Sequence, residues 1–292
     1  MTDDSTKLKY TLYLGCNIAT EAYGYEISAK KVLDAFDVEL VLPDGYSCCG
    51  VTMRSVNSFA FLCLAARNMA ISEALGNGLL VYCTGCRLSL SEAQHILAEN
   101  SELKQKVNEV LAKEDLNYNG TIKIIHINEF LHDIIGEEKI SGKIVRKFDG
   151  KKIVPHYGCH ALRPSEINPQ DDVENPQKLD DLIRLLGAEA PHHPEKLDCC
   201  GAPLLLKDVN SAYTMVGTKI SALMKHEIDA VVTVCPSCQK MFENQKIASD
   251  TIGEKLSLPV LYFTQLLGLA MGMEPGELGI QLNLTDYRSI LS

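Results

Sequence analysis

Positive charge is in short supply: 28 Lys and Arg stand against 38 Asp and Glu in 292 residues, leaving a net charge of -10. No basic stripe is present to neutralise phosphates, so nucleic acid is not an expected partner, and any anionic ligand must meet a local cluster of cations. Met1 to Lys9 is polar and charged, with no apolar h-region behind a basic start, and reads against a secretory signal. Val56 to Leu75 is broken by Arg67, Asn68 and Glu73, and Leu261 to Met273 is too short for a bilayer, so no membrane span is expected. Also missing are a ferredoxin-type C-x2-C-x2-C-x3-C-P run and a G-x-G-x-x-G fingerprint. No flavin or nicotinamide is therefore expected in this chain.

Cysteine, by contrast, is plentiful. Eleven cysteines without an export signal suit a reducing compartment, the cytoplasm by default, where clustered thiols bind metal or do redox chemistry more often than they form structural disulfides. Ten of them fall into two matching sets: Cys16, Cys48, Cys49, Cys83 and Cys86, then Cys159, Cys199, Cys200, Cys235 and Cys238. The spacings are C-x31-CC-x33-C-x2-C and C-x39-CC-x34-C-x2-C, and the contexts match too, Cys48-Cys49-Gly50 answering Cys199-Cys200-Gly201. The copies differ mainly by one proline-rich insertion, Arg163 to Pro176, which reads as a loop at the mouth of the second copy. Cys63, in an apolar helical run, has no counterpart and reads as a core residue.

Periodicity gives both halves the same coarse order. Strands are predicted at Tyr10–Leu14, Val38–Leu42, Leu79–Tyr82 and Ile122–Ile125, then at Lys152–Val154, Ala230–Val234 and Pro259–Tyr262. Helices are predicted at Glu21–Phe36, Met53–Leu75, Gln177–Leu186 and Val209–His226, with a further helix behind each C-x2-C. Such alternation implies α/β architecture: two Rossmann-like units related by a pseudo-two-fold, with small parallel sheets flanked by helices, divided as residues 1–148 and 149–292. Every ligand cysteine then lies at a strand's C-terminal end or in the loop after it, where open α/β sheets gather their sites. Cys83 and Cys86, like Cys235 and Cys238, open helices whose N-terminal dipole favours thiolate, and Pro236 suits a first helical position. Gly50 and Gly201 are expected to turn tightly and let the backbone pass close to a bulky cofactor.

A tetrahedral zinc held by the adjacent pair and the C-x2-C of each half is one alternative, and dithiol chemistry at Cys235-Pro236-Ser237-Cys238 another. Zinc takes four ligands at fixed angles, whereas each half offers a fifth thiol, and five converging thiolates suit a polynuclear iron site better. A vicinal disulfide is strained and wrong for the compartment.

The doubled motif resembles the CCG domains found in the B subunit of methanogen heterodisulfide reductase, over essentially the whole chain. That resemblance implies two noncubane [4Fe-4S] clusters, each ligated by one five-cysteine set. It also implies reduction of the coenzyme M/coenzyme B heterodisulfide to two thiols, one electron coming from each cluster. The partners it implies are a ferredoxin-like iron-sulfur subunit and a flavin-containing large subunit. Related CCG chains serve as electron-transfer subunits of quinone- or organic-acid-linked oxidoreductases; here neither copy has lost a cysteine, which favours the disulfide role. Two protons must reach the products, and His156 and His160, flanking Cys159, are candidate general acids with pKa values near the working pH. The coenzymes are anionic, so Arg163 and Lys207 are candidate substrate contacts, with Arg54 and Arg87 as further cations behind cysteine loops. His192 and His193 read as loop residues.

Overall fold

The computed structural model describes residues 7–291 apart from Asn168, so the polar stretch Met1 to Thr6 and one position of the proline-rich insertion lie outside the described residues. Strands β1 (Leu8–Tyr13), β2 (Val38–Val41), β3 (Gly78–Val81) and β4 (Ile124–His126) form a parallel sheet in the order β2-β1-β3-β4. Helices α1 (Gly15–Thr20), α2 (Tyr23–Ala35), α3 (Ser58–Ala74), α4 (Thr84–Glu99), α5 (Ser101–Leu111), α6 (Ile127–Glu129) and α7 (Glu137–Ser141) belong to this half. The second sheet is β5 (Ile153–His156), β6 (Ala230–Thr233) and β7 (Val260–Tyr262), again parallel and in chain order. Around it lie α8 (Cys159–Leu162), α9 (Lys178–Leu185), α10 (Val209–Lys225), α11 (Pro236–Glu243), α12 (Gln245–Ile252) and α13 (Phe263–Ala270).

The two small parallel sheets flanked by helices are thus as the sequence predicts, and each predicted strand is found to within two residues at either end. Differences have local causes. The helix predicted from Met53 starts at Ser58 because Asn57 takes an extended conformation and its side chain accepts from the Ala60 N–H at 3.0 Å. Asp208 caps α10 in the same way, accepting from Ser211 N at 3.0 Å. Among the described residues the second half has no strand answering β2; a single parallel bridge between Lys152 and Glu189 stands in that place.

The central strands are buried almost throughout, their side chains alternating between two apolar clusters that cover both sheet faces. Leu12, Leu80 and Ile125 join Ile153, Val232 and Leu261 in one apolar cluster, while Tyr13, Val81 and Ile124 join Val154, Val231 and Val260 in the other. Each cluster runs through both halves, so the halves share their core. The segment after β7 packs back on the first half: Ser28 Oγ and Thr264 Oγ1 are 2.7 Å apart, and Lys31 pairs with Glu277 at 2.8 Å. Gly24 and Gly279 permit this approach, since a Cβ on Gly24 would lie 2.9 Å from the Gly279 carbonyl oxygen. Tyr25 stacks on Tyr262, 4.1 Å between centroids, and donates across the seam to the Val234 carbonyl at 3.1 Å. Among the described residues no helix is long and apolar enough to cross a membrane.

Candidate metal centres

Within each sheet the strands run parallel, and the C-terminal ends of β1, β2, β3, β5 and β6 lead towards cysteines. Cys16 and Cys159 sit in the first turns of α1 and α8, two short helices that periodicity over so few residues does not reveal. Cys83 and Cys235 are N-caps of α4 and α11, which places Cys86 and Cys238 in their first turns, with the main-chain N–H of each bonding the N-cap sulfur; Pro236 takes the expected first position. Cys48-Cys49 and Cys199-Cys200 arrive on the loops before α3 and α10.

Neighbouring thiols interact along each set. Side-chain hydrogen bonds link Cys48 to Cys49, Cys49 to Cys86 and Cys86 to Cys83 in the first half. In the second they link Cys235 to Cys238, Cys238 to Cys200, Cys200 to Cys199 and Cys199 to Cys159, the last pair with Sγ atoms 4.0 Å apart. Cys83 and Cys235 bond each other, so the two sets meet at the seam between the halves. Cys16 stands at the exposed end, near Cys48. Cys49, Cys83, Cys86, Cys200, Cys235 and Cys238 are buried, whereas Cys48, Cys159 and Cys199 are half-buried and face the rim.

Several thiols of this array are held below the usual thiol range. Cys49 is held down at about 3 by its bonds with Cys48 and Cys86. Cys199 is held at about 2 by its bonds with Cys159 and Cys200. Buried Cys235 lies well below the usual thiol range because Cys238 and Cys83 donate to it, with Thr84 Oγ1 of the opposite half adding a further bond. Their neighbours hold the protons: Cys200 is pushed up to about 12 by its bond with Cys199.

Glycines shape the sites, though not all as expected. Gly15 and Gly158 have φ of 68° and 76°, and a Cβ there would come within 2.7 Å of Cys86 Sγ and 3.5 Å of Cys238 Sγ. The lone-cysteine turn therefore lies directly on the C-x2-C sulfur in the first half and in ordinary contact with it in the second, where Thr84 Oγ1 is nearer at 3.2 Å. Gly50 and Gly201, at φ of 85° and 82°, do make the tight turns, but their close approach is to the following helix: a Cβ would lie 3.1 Å from the Phe61 carbonyl oxygen and 2.5 Å from that of Ala212.

Matching positions carry different polar groups. In the first half Tyr13, three residues before Cys16, lies 3.5 Å from Asn68 Nδ2, and Asn68 also donates to the Cys48 carbonyl at 3.1 Å. In the second half His156, three residues before Cys159, lies with Nδ1 3.2 Å from Lys219 Nζ. One ligand atom of His156 is within 4.8 Å of the sulfurs of Cys200 and Cys238. These three could hold one metal ion, which keeps a mononuclear zinc in view, but the remaining thiols of the half continue the array beyond them. Burial, then the charge of Lys219, hold His156 well below the usual histidine range, so it is not poised near neutral pH, contrary to the expectation from its place beside Cys159. His160 is half-buried and reaches across the seam, its Nδ1 3.4 Å from where a Cβ on Gly85 would stand.

Arg163 and Lys207 are exposed, and Arg163 pairs with Glu174 of the insertion at 3.7 Å. Arg54 pairs with Glu92 at 3.0 Å. Arg87 is not a solvated cation: its side chain is 1% exposed and pairs with Glu129 at 3.6 Å. His193 is likewise buried, with Nδ1 3.5 Å from Glu195, while His192 is exposed. Cys63 is half-buried at the edge of the apolar core. Sequence reasoning missed Lys219, although a lysine between Val216, Ile220 and Leu223 on the buried face of α10 was the available signal.

Two similar α/β halves that each gather five cysteines in the loops and helix starts beside a parallel sheet define a duplicated cysteine-rich protein. The chain belongs to the cysteine-rich CCG domain family, whose model matches twice, at residues 10–91 and 153–243. It is 34% identical over 94% of its length, and 93% of the relative's, to the B subunit of the Ferredoxin/F(420)H(2)-dependent CoB-CoM heterodisulfide reductase of Methanosarcina acetivorans. It is 30% identical over 95% of its length, and 97% of the relative's, to the 8-methylmenaquinol:fumarate reductase membrane anchor subunit of Wolinella succinogenes. A crystal structure of a hypothetical protein from Helicobacter pylori shares the fold, with a TM-score of 0.78 at 21% identity, covering 96% of this chain and 52% of that one. The resemblance first read from the cysteines thus extends over nearly the whole chain.

Proposed function

We propose that the chain is the catalytic subunit of a heterodisulfide reductase and that its two five-cysteine sets hold two noncubane [4Fe-4S] clusters. The observation that carries this reading is the pair of intact thiol sets meeting at Cys83 and Cys235. The donor set fits: soft, partly anionic thiolates on glycine turns that leave no room for a Cβ beside Cys86. When bound, each cluster supplies one electron, and two one-electron centres match a two-electron sulfur–sulfur bond.

The chain's own residues do the rest. Cys16, Cys48, Cys159 and Cys199 mark the accessible rim, and a disulfide approaches there. His160, half-buried across the seam from Gly85, is the better placed proton donor to a product thiolate, since His156 is buried and engaged by Lys219. Arg163 and Lys207 offer cations for anionic ends of the substrate, Arg163 by exchanging its Glu174 partner. Electrons arrive from a ferredoxin-like subunit and a flavin-containing subunit of the same cytoplasmic complex.

The kinship with a menaquinol:fumarate reductase subunit favours a second reading, electron relay between a quinone and an organic-acid reductase. Anaerobic assay of the purified complex with a reduced dye separates the two. Release of two thiols per coenzyme M/coenzyme B disulfide is expected; quinol oxidation without thiol release would replace the first reading with the second.

A further inference from the structure

The two halves present the same ligands but different surroundings. Nineteen residues after the cysteine pair, the first half has Asn68 and the second Lys219, both buried on the helix that follows. Lys219 Nζ lies 3.3 Å from the Asp198 carbonyl and 3.4 Å from the Lys196 carbonyl, with a shorter bond to that of Glu195. Its fourth neighbour is His156 Nδ1 at 3.2 Å. All four are uncharged acceptors on or beside the Cys199-Cys200 loop. Because the ammonium has no lone pair, it can only donate to Nδ1, which leaves the ring proton on Nε2. Nε2 is buried without a hydrogen-bond partner among the described residues, and the ring lies at the sulfurs of Cys200 and Cys238. The first half puts a phenol and an amide, both neutral, in these places.

We infer that Lys219, acting directly and through His156, makes the C-terminal centre the more easily reduced of the two. Resting on the iron-sulfur reading above, this deepens it by assigning an order to the centres. A reduced cluster carries one more negative charge, and a buried cation bonded to an imidazole that lies beside the ligand sulfurs stabilises that form. Burial lowers the Lys219 ammonium to about 8, while Asp198, then Cys238 and Cys200, and Glu195 favour its charged form, so the group is a cation at neutral pH and the sulfurs are among the charges that hold it so. Electrons entering the pair thus settle first on the C-terminal centre, and the two sulfurs of a bound disulfide meet unequal electron donors. Lys219 is a positioning residue: it touches His156 and the loop rather than the reacting atoms.

The test is a redox titration of the anaerobically purified full complex, followed by electron paramagnetic resonance, on wild type, Lys219→Met and Lys219→Arg. Iron and acid-labile sulfide are measured first; their absence from wild type would overturn the cluster reading itself, independently of the order of the centres. With clusters present, Lys219→Met is expected to make one centre about tenfold harder to reduce, about 59 mV for one electron, leaving the other unchanged. Lys219→Arg is expected to stay near wild type. If Lys219→Met loses iron, Lys219→Gln, which keeps donors to the carbonyls but removes the charge, carries the same comparison. A charge-removing variant that keeps full iron with both centres at wild-type potential, or with both shifted equally, overturns the inference.

Discussion

Compared position by position, the halves have kept their sulfur ligands and diverged in nearly every buried polar group around them. Arg87 follows Cys86 and pairs with Glu129, which lies three residues beyond β4; at the corresponding places the second half has Gln239 and Gln265. Gln239 takes a hydrogen bond from Thr233 at 2.6 Å, and Gln265 caps the main chain of Tyr262 at 3.1 Å. The second half replaces an ion pair by neutral amides here, yet replaces a neutral tyrosine and asparagine by histidine and lysine beside the cysteine pair. A duplicated framework fixes where ligands go; the groups behind them decide how the two centres differ.

The likeness of the halves can be broken most severely at the ligands. Cys49→Ser and Cys200→Ser are each expected to lose about half of the iron and sulfide, with disulfide reduction falling by at least about 100-fold. Loss of all the iron from either variant would mean that the halves load as one site. The next effect is at the glycine turns. Gly201→Ala forces a Cβ to 2.5 Å from a helix carbonyl, against 3.1 Å for Gly50→Ala, both at positive φ. We expect a cost of about 3 kcal/mol or more for the former and about 1–2 kcal/mol for the latter, read from anaerobic denaturant unfolding. Equal costs would show that the helix behind the second turn yields.

A smaller difference is expected at the polar pairs. Arg87→Met strands Glu129, whose own carboxyl is already raised by burial, and should cost about 2 kcal/mol; Gln239→Met, which leaves Thr233 unpaired, should cost about 1 kcal/mol. Adding Glu129→Met to Arg87→Met should recover much of the loss, and the same unfolding measurements check both.

Much of this architecture is legible in the residues. The strands show as short β-branched runs, and the paired C-x2-C spacing announces both centres, because parallel crossovers put all strand ends on one side. What stays hidden depends on packing. Neither the four-residue helix at Cys159 nor the loss of the β2 equivalent has a periodic signature, since so few residues carry no repeat. The burial of Arg87 cannot be read from its neighbours, because its partner Glu129 is brought by a distant segment. Local pattern puts Gly50 and Gly201 in the right turns for an incomplete reason: the predicted helix behind each turn packs directly on it, a contact that no local signal reveals.

The central claim is that two matching thiol sets hold two iron-sulfur centres in one chain. Anaerobic metal and acid-labile sulfide analysis of the purified protein tests it most directly. The account predicts about eight irons with matching sulfide per chain, two four-iron clusters' worth; one or two zinc ions per chain with no labile sulfide would contradict it.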